Sequence, residues 1–189
     1  MVYILLAEGF EELEALAPVD ILRRGGVEVR TVGMTGKTVC GSHGIPVIAD
    51  ILPNEVADDM EMLVFPGGLP GSDHLHASEE SDRLIAMAKE KGAHIAAICA
   101  APYLLGLRGL LEGKRATCYP DDKFRSRLLG ATVCDARVVT DGKVTTGAGM
   151  GAAQEFGLRL LALLRGEEAA KRIASGALIA GAEDAISCP

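Results

Sequence analysis

Three short runs constrain this chain more than anything else in it. Val2–Ala7 reads VYILLA, Met62–Phe65 reads MLVF and His94–Ile98 reads HIAAI, and none alternates apolar with polar residues. A strand without alternation is apolar on both faces and has to be covered on both. Each run ends abruptly, at Glu8-Gly9, at Pro66-Gly67-Gly68 and at Cys99. None reaches the roughly 20 residues that span a bilayer. A sheet enclosed between two further layers is the arrangement that buries such strands.

Helical patterns supply those layers. Gly9–Gly26 (GFEELEALAPVDILRRGG) carries its acidic residues early and Arg23-Arg24 late, which suits the helix dipole, and stops at Gly25-Gly26. Pro18 inside it predicts a kink or a break. Ser78–Lys91 is amphipathic, with Ser78 as cap and Glu79, Glu80 and Asp82 in its first turn. Pro102–Leu111, Met150–Leu164 and, more weakly, Glu167–Ile179 also read as helices. Between them, Val27–Val32 alternates as a strand, and Thr38–Ala49, with Gly41, Gly44 and Pro46, reads as a hairpin. Lys114–Cys118, Ala131–Asp135, Arg137–Thr140 and Lys143–Thr146 are short strand candidates, the last two turning at Asp141-Gly142. Strands alternating with helices predict an α/β sandwich on a mostly parallel central sheet. No linker or repeat divides residues 1–189, so one domain is expected. Ligands of such sheets sit at the carboxyl ends of the strands. That directs attention to the loops 8–14, 66–71, 99–102, 118–122 and 147–151.

Composition narrows the function. A hydrophobic content of 49% excludes disorder, and a net charge of −7 argues against nucleic acid as a main partner. Aromatics at 4%, with no Trp, leave little for a base-stacking platform. The N-terminus lacks the basic start of a signal peptide, so a cytoplasmic location without membrane attachment is expected. Five cysteines (Cys40, Cys99, Cys118, Cys134 and Cys188) are scattered with no C-x-x-C pair, against a zinc ribbon or a disulfide framework.

Cys99 is the sharpest chemical feature. It stands where the strand HIAAI ends and a helix begins, framed by Ala96, Ala97, Ala100 and Ala101. Small neighbours suit a crowded strand-to-helix turn that presents a nucleophile, and a helix N-terminus favours thiolate. The competing reading is a buried cysteine that fills space. Gly67-Gly68 ends another strand, and the amides of Gly68 and Ala100 are candidates for an oxyanion hole; a plain turn is the commoner use of Pro-Gly-Gly. Glu8, Glu11, Glu12 and Glu14 follow the first strand. One of them reaching the crevice would have a raised pKa beside a thiolate; taken one at a time, each also fits a solvated helix start.

Taken together, Gly9–Ala15 (GFEELEA), Pro18–Gly26 (PVDILRRGG), Val64–Gly68 (VFPGG) and Ala96–Pro102 (AAICAAP), in that order, resemble the ThiJ/PfpI superfamily and within it the DJ-one branch. The similarity continues through Gly147–Phe156. The resemblance implies a flavodoxin-like three-layer fold, a homodimer, and a reactive cysteine on a nucleophile elbow at Cys99. It also implies a protonated glutamate partner at Glu14 and backbone donors at Gly68 and Ala100. Gly67, Tyr119 and His43 are the further pocket candidates. Three departures stand out: Ala100 replaces the histidine that follows the cysteine in amidase-like members, Tyr119 stands where the DJ-one branch has a histidine before a proline, and Ala148 and His43 fall where it has pocket arginines. The activity implied is cofactor-independent processing of a small reactive aldehyde or glycation adduct, as a glyoxalase III-type hydro-lyase or a deglycase-type hydrolase. The alternative is a redox sensor or stress-protective chaperone acting through oxidation of Cys99. The early helix, with Leu13, Leu16, Val19 and Ile21, is expected to serve both core and dimer partner.

Weaker signals remain. Gly147–Ala152 (GAGMGA) fits a dinucleotide fingerprint, but close packing of a helix start explains it as well. His74 and His76 read as a solvated loop rather than metal ligands, and His94 as an exposed strand start. Neither metal nor cofactor is expected. Cys118 is the thiol best placed to resolve an oxidised Cys99.

Overall fold

A computed structural model describes residues 1–181 and Ile186. In chain order its elements are β1 (Val2–Leu6), α1 (Glu12–Arg24), β2 (Val29–Gly33), β3 (Thr38–Cys40), β4 (Pro46–Ile48), β5 (Met62–Phe65), α2 (Gly71–Ala77), α3 (Glu79–Glu90), β6 (His94–Ile98), α4 (Pro102–Leu107), β7 (Arg115–Ala116), α5 (Asp122–Arg125), β8 (Thr132–Val133), β9 (Val138–Asp141), β10 (Val144–Gly147), α6 (Ala153–Arg165) and α7 (Glu167–Gly176). Cys188, one of the five cysteines, lies outside the described residues.

The central sheet runs in the order β2-β1-β5-β6-β10-β9. All neighbours are parallel except the edge strand β9, which is antiparallel to β10. The five parallel strands, counted among themselves, follow the flavodoxin order 2-1-3-4-5, whose direction of winding switches between β1 and β5. The unalternating runs are buried on both faces, as expected. From β1, Val2, Ile4 and Leu6 enter one core, with α1, α6 and α7, while Tyr3 and Leu5 enter the other, with α3 and α4. Among the described residues no helix is long and apolar enough to cross a membrane.

Several expectations need correction. Helix α1 runs through Pro18 without a break. Pro18 is buried, and a Cβ at Gly157 of α6 would lie 3.1 Å from its Cα, so close packing against α6 holds the helix where one hydrogen bond is lost. His74 and His76, expected in a solvated loop, lie instead in α2; His74 Nδ1 pairs with the Glu8 carbonyl at 2.8 Å and His76 Nδ1 with Arg108 at 2.9 Å. His94 is buried rather than exposed, its Nε2 2.9 Å from Thr145 Oγ1 on β10. The short strands β7 and β8 pair with each other in parallel and stay outside the central sheet. The hairpin expected over Thr38–Ala49 forms as antiparallel β3–β4.

Candidate active site

The carboxyl ends of β1, β5, β6 and β10 converge beside the switch in winding. Cys99 follows β6 directly and has φ of +64°, a left-handed conformation unusual for a residue with a side chain. Two backbone bonds hold it there: its N–H donates to the Gly147 carbonyl at 2.9 Å, and its carbonyl accepts from Tyr119 N–H at 2.8 Å. Ala96, Ala97, Ala100 and Ala101 are all buried around it, so small residues do frame the turn.

Of the four early glutamates, Glu14 is the one that meets Cys99. Its side chain is fully buried, Oε2 accepts from Gly67 N–H at 2.9 Å, and the carboxyl is hydrogen-bonded with the Cys99 thiol. Oε1 accepts no hydrogen bond from any of the described residues. Burial pushes the Glu14 carboxyl up to about 7, helped by the charge of Glu11 and opposed by the Cys99 and Gly67 donors. Burial, the charge of Glu14 and the hydrogen bond to it push the Cys99 thiol up, while the Ala100 and Gly68 amides pull it down. Because α4 is a six-residue helix starting at Pro102, these two amides, rather than a macrodipole, are the local source of thiolate stabilisation. A carboxyl and a thiol in contact titrate as a pair, and this pair loses its first proton in the neutral range.

The other three glutamates build the frame. Glu11 caps α1, its carboxylate accepting from Glu14 N–H at 2.7 Å. Glu8 accepts from Cys40 N–H at 3.3 Å. Glu12 is buried and holds the β3–β4 hairpin, accepting from His43 N–H and pairing with the His43 ring, both at 2.8 Å. Burial pushes Glu12 up, but the donors of His43 outweigh it and bring the carboxyl to about 2. His43 is therefore engaged with Glu12 and Ser42 rather than hydrogen-bonded to Cys99. Glu11, Glu12 and His43 form the only group of three close metal-type ligands among the described residues. His74 and His76, bonded in different directions, do not form one.

Gly67 and Gly68 hold the site together by lacking side chains. A Cβ on Gly67 would collide with the Glu14 carboxyl and lie 2.7 Å from Cys99 Cβ. Gly68 has φ of +88° and its backbone rests on Gly9–Glu11. The loop after β1 and the loop after β5 are laced together by Glu11 N–H to Gly67 O at 2.9 Å and Gly71 N–H to Gly9 O at 3.2 Å. On the other side, Tyr119 is 48% exposed and its ring meets Phe124 edge-on at 6.2 Å. Position 148 offers only an alanine, whose N–H bonds the Arg137 carbonyl. Gly147, the last residue of β10, packs closely against Ile98 and Phe156, whereas Cβ atoms at Gly149 and Gly151 would meet nothing nearer than 3.6 Å among the described residues, so the close packing expected of a helix start is confined to the strand end. The Cys118 thiol donates to the Tyr119 carbonyl at 3.3 Å and is pushed up to about 11 by burial.

Fold and site together define a flavodoxin-like α/β protein with a half-buried cysteine beside a buried glutamate at its strand ends. The sequence pattern of the DJ-1/PfpI family matches residues 1–163, and the chain belongs to that family. It is 39% identical over 182 residues to Protein DJ-1 homolog B of Arabidopsis thaliana, covering 94% of this chain and 41% of that one. The chain thus spans less than half the length of that plant relative. It is 31% identical over 162 residues to a protein of Caenorhabditis elegans named glutathione-independent glyoxalase DJR-1.2, covering 85% of this chain and 86% of that one. The crystal structure of Drosophila melanogaster DJ-1beta superposes with a TM-score of 0.87 at 36% identity, over 95% of this chain and 97% of that one.

Proposed function

We propose that this protein is a cofactor-independent enzyme acting on small reactive carbonyls, with 2-oxoaldehydes such as methylglyoxal as its substrate class. The observation that carries this reading is the half-buried Cys99 thiol against the buried Glu14 carboxyl, with the amides of Gly68 and Ala100 as donors to the sulfur. The similarity to a glyoxalase-named relative supports the substrate class.

In the reacting state the sulfur is thiolate and the remaining proton sits on Glu14. The thiolate adds to the aldehyde carbon, forming a C–S bond. The carbonyl oxygen takes the Glu14 proton and the two amides steady it as charge develops. Glu14, now carboxylate, removes the hydrogen from that carbon and an enediol forms; the proton returns to the neighbouring carbon. The first carbon is thereby oxidised to a thioester and the second reduced to an alcohol, with no external oxidant. Water cleaves the thioester, giving a 2-hydroxy acid and free Cys99. Deglycation of early sugar adducts would begin with the same sulfur.

The same pair supports a second reading, oxidation of Cys99 by peroxide to a sulfinate held by the amides and by protonated Glu14. We also infer a homodimer through α1, because Leu13 is 53% exposed on a helix whose opposite side is core. The test is steady-state conversion of methylglyoxal to lactate. Turnover that Cys99→Ser abolishes supports the enzyme. No turnover, with a peroxide-dependent mass gain confined to Cys99, supports the sensor.

A further inference from the structure

Gly149 lies between β10 and α6 with φ of 164° and ψ of −174°. This is extended backbone that any residue adopts, so its conformation does not demand glycine. What the missing side chain does is leave room. A carbon placed at the Cβ position of residue 149 would lie 4.0 Å from Cys99 Sγ and 3.6 Å from Tyr119 Cδ2. Leaving aside the adjoining residues of the chain, no third atom of the described residues comes within 4 Å. Both distances are ordinary van der Waals contact. A side-chain methyl at residue 149 would touch both, so its absence leaves the face of Gly149 between the nucleophile and the aromatic ring open for a ligand group to rest on.

The Tyr119 ring is the wall of that space. Its backbone N–H is tied to the Cys99 carbonyl at 2.8 Å, which anchors the main chain of the two residues together. Phe124 supports it edge-on at 6.2 Å, yet the residue stays 48% exposed. The polar partners of the sulfur, Glu14 and the amides of Gly68 and Ala100, are elsewhere around it. They take the oxygen of an adding carbonyl. The substituent on that carbonyl compound, one or two bonds beyond the carbon joined to sulfur, falls at the distance of the Gly149 space.

We propose that the space bounded by Cys99 Sγ, Gly149 and the ring of Tyr119 is the substituent subsite, and that it selects 2-oxoaldehydes bearing a flat apolar group, aryl or short alkyl, over unsubstituted glyoxal. This deepens the carbonyl-processing reading and rests on it. One extra apolar contact in a pocket is worth about tenfold or more in selectivity.

The test compares kcat/KM for phenylglyoxal and glyoxal in four proteins. Wild type is expected to prefer phenylglyoxal. Gly149→Ala, whose methyl occupies the space without a clash, should lower that preference about tenfold, and Tyr119→Ala should lower it similarly. Tyr119→Phe, which keeps the ring, should retain it within about twofold. A second arm is independent of turnover: the rate at which Cys99 is alkylated by phenacyl bromide relative to iodoacetamide, each forming a C–S bond and expelling halide. That ratio should fall in Gly149→Ala and Tyr119→Ala and hold in Tyr119→Phe. If no dicarbonyl is turned over but the alkylation ratio falls, the subsite stands and the enzymatic reading fails. Ratios unchanged by Gly149→Ala in both arms overturn the subsite.

Discussion

Replacing Glu14 by glutamine should make the protein more stable at neutral pH and less able to turn over substrate. Burial raises the carboxyl from its ordinary 4.5 to about 7. Between those values the native chain holds a proton that the unfolded chain has lost, so stability falls as pH rises through this window. The full change is about 3 kcal/mol, at about 1.4 kcal/mol for each tenfold difference in the proton's hold. The figure does not depend on whether carboxyl or thiol gives up the pair's proton, because only the total bound enters. Glutamine can still accept from Gly67 N–H and has nothing to titrate. Urea unfolding of reduced wild type and Glu14→Gln, at about pH 4.5, 6 and 8, should show the variant's advantage growing by about 3 kcal/mol across the series. His94 titrates nearby, but it is common to both proteins and cancels in the difference. An advantage that stays constant with pH, or shrinks as pH rises, would refute the claim that Glu14 is a buried carboxyl with a raised pKa.

Other expectations follow from single contacts. Burial, with the charges of Lys143 and Arg159, holds His94 neutral down to about 4. Stability should therefore fall by about 3 kcal/mol as pH drops from 6.5 towards 4, and His94→Gln should flatten that acid limb in urea midpoints. Gly67→Ala should cost about 1–3 kcal/mol in thermal or urea unfolding. By displacing Glu14 or Cys99 it should also slow turnover about a hundredfold. Leu13→Asp should halve the mass seen by light scattering at micromolar concentration; wild type already monomeric there would end the dimer inference. Limiting iodoacetamide near neutral pH followed by peptide mapping should label Cys99, which is partly exposed, ahead of Cys118, which is buried.

The strands that are buried on both faces were readable because their composition alone excludes a solvent-facing side. Cys99 was readable because position and small neighbours coincide. Glu14 was not separable from Glu8, Glu11 and Glu12 by pattern. Where α1 begins, and hence which glutamate turns inward, depends on Glu11 acting as its cap, and the resemblance rather than the residues singled it out. His94 was misread because its partner Thr145 comes from a strand far along the chain. Pro70-Gly71 looked like a loop because α2 is only seven residues long and starts at that punctuation. The Gly149 space was invisible in the sequence since Tyr119, its wall, arrives from another loop.

The lacing of the loops after β1 and β5 divides the site into halves with different scope for change. Around Gly9, Gly67, Gly68 and Gly71, main chain rests on main chain, and an added methyl at any of the four would strike a neighbouring backbone or the reacting pair. Side chains cannot be exchanged where none fits, so this half tolerates almost no retailoring. Positions 119, 148 and 149 lie on segments whose bonds to Cys99 and Arg137 run through the backbone and are indifferent to the side chain carried. A saturation library would then find its dead variants on one rim of the crevice and its altered specificities on the other. New substrates can be reached by sampling three residues while the Cys99–Glu14 pair stays untouched.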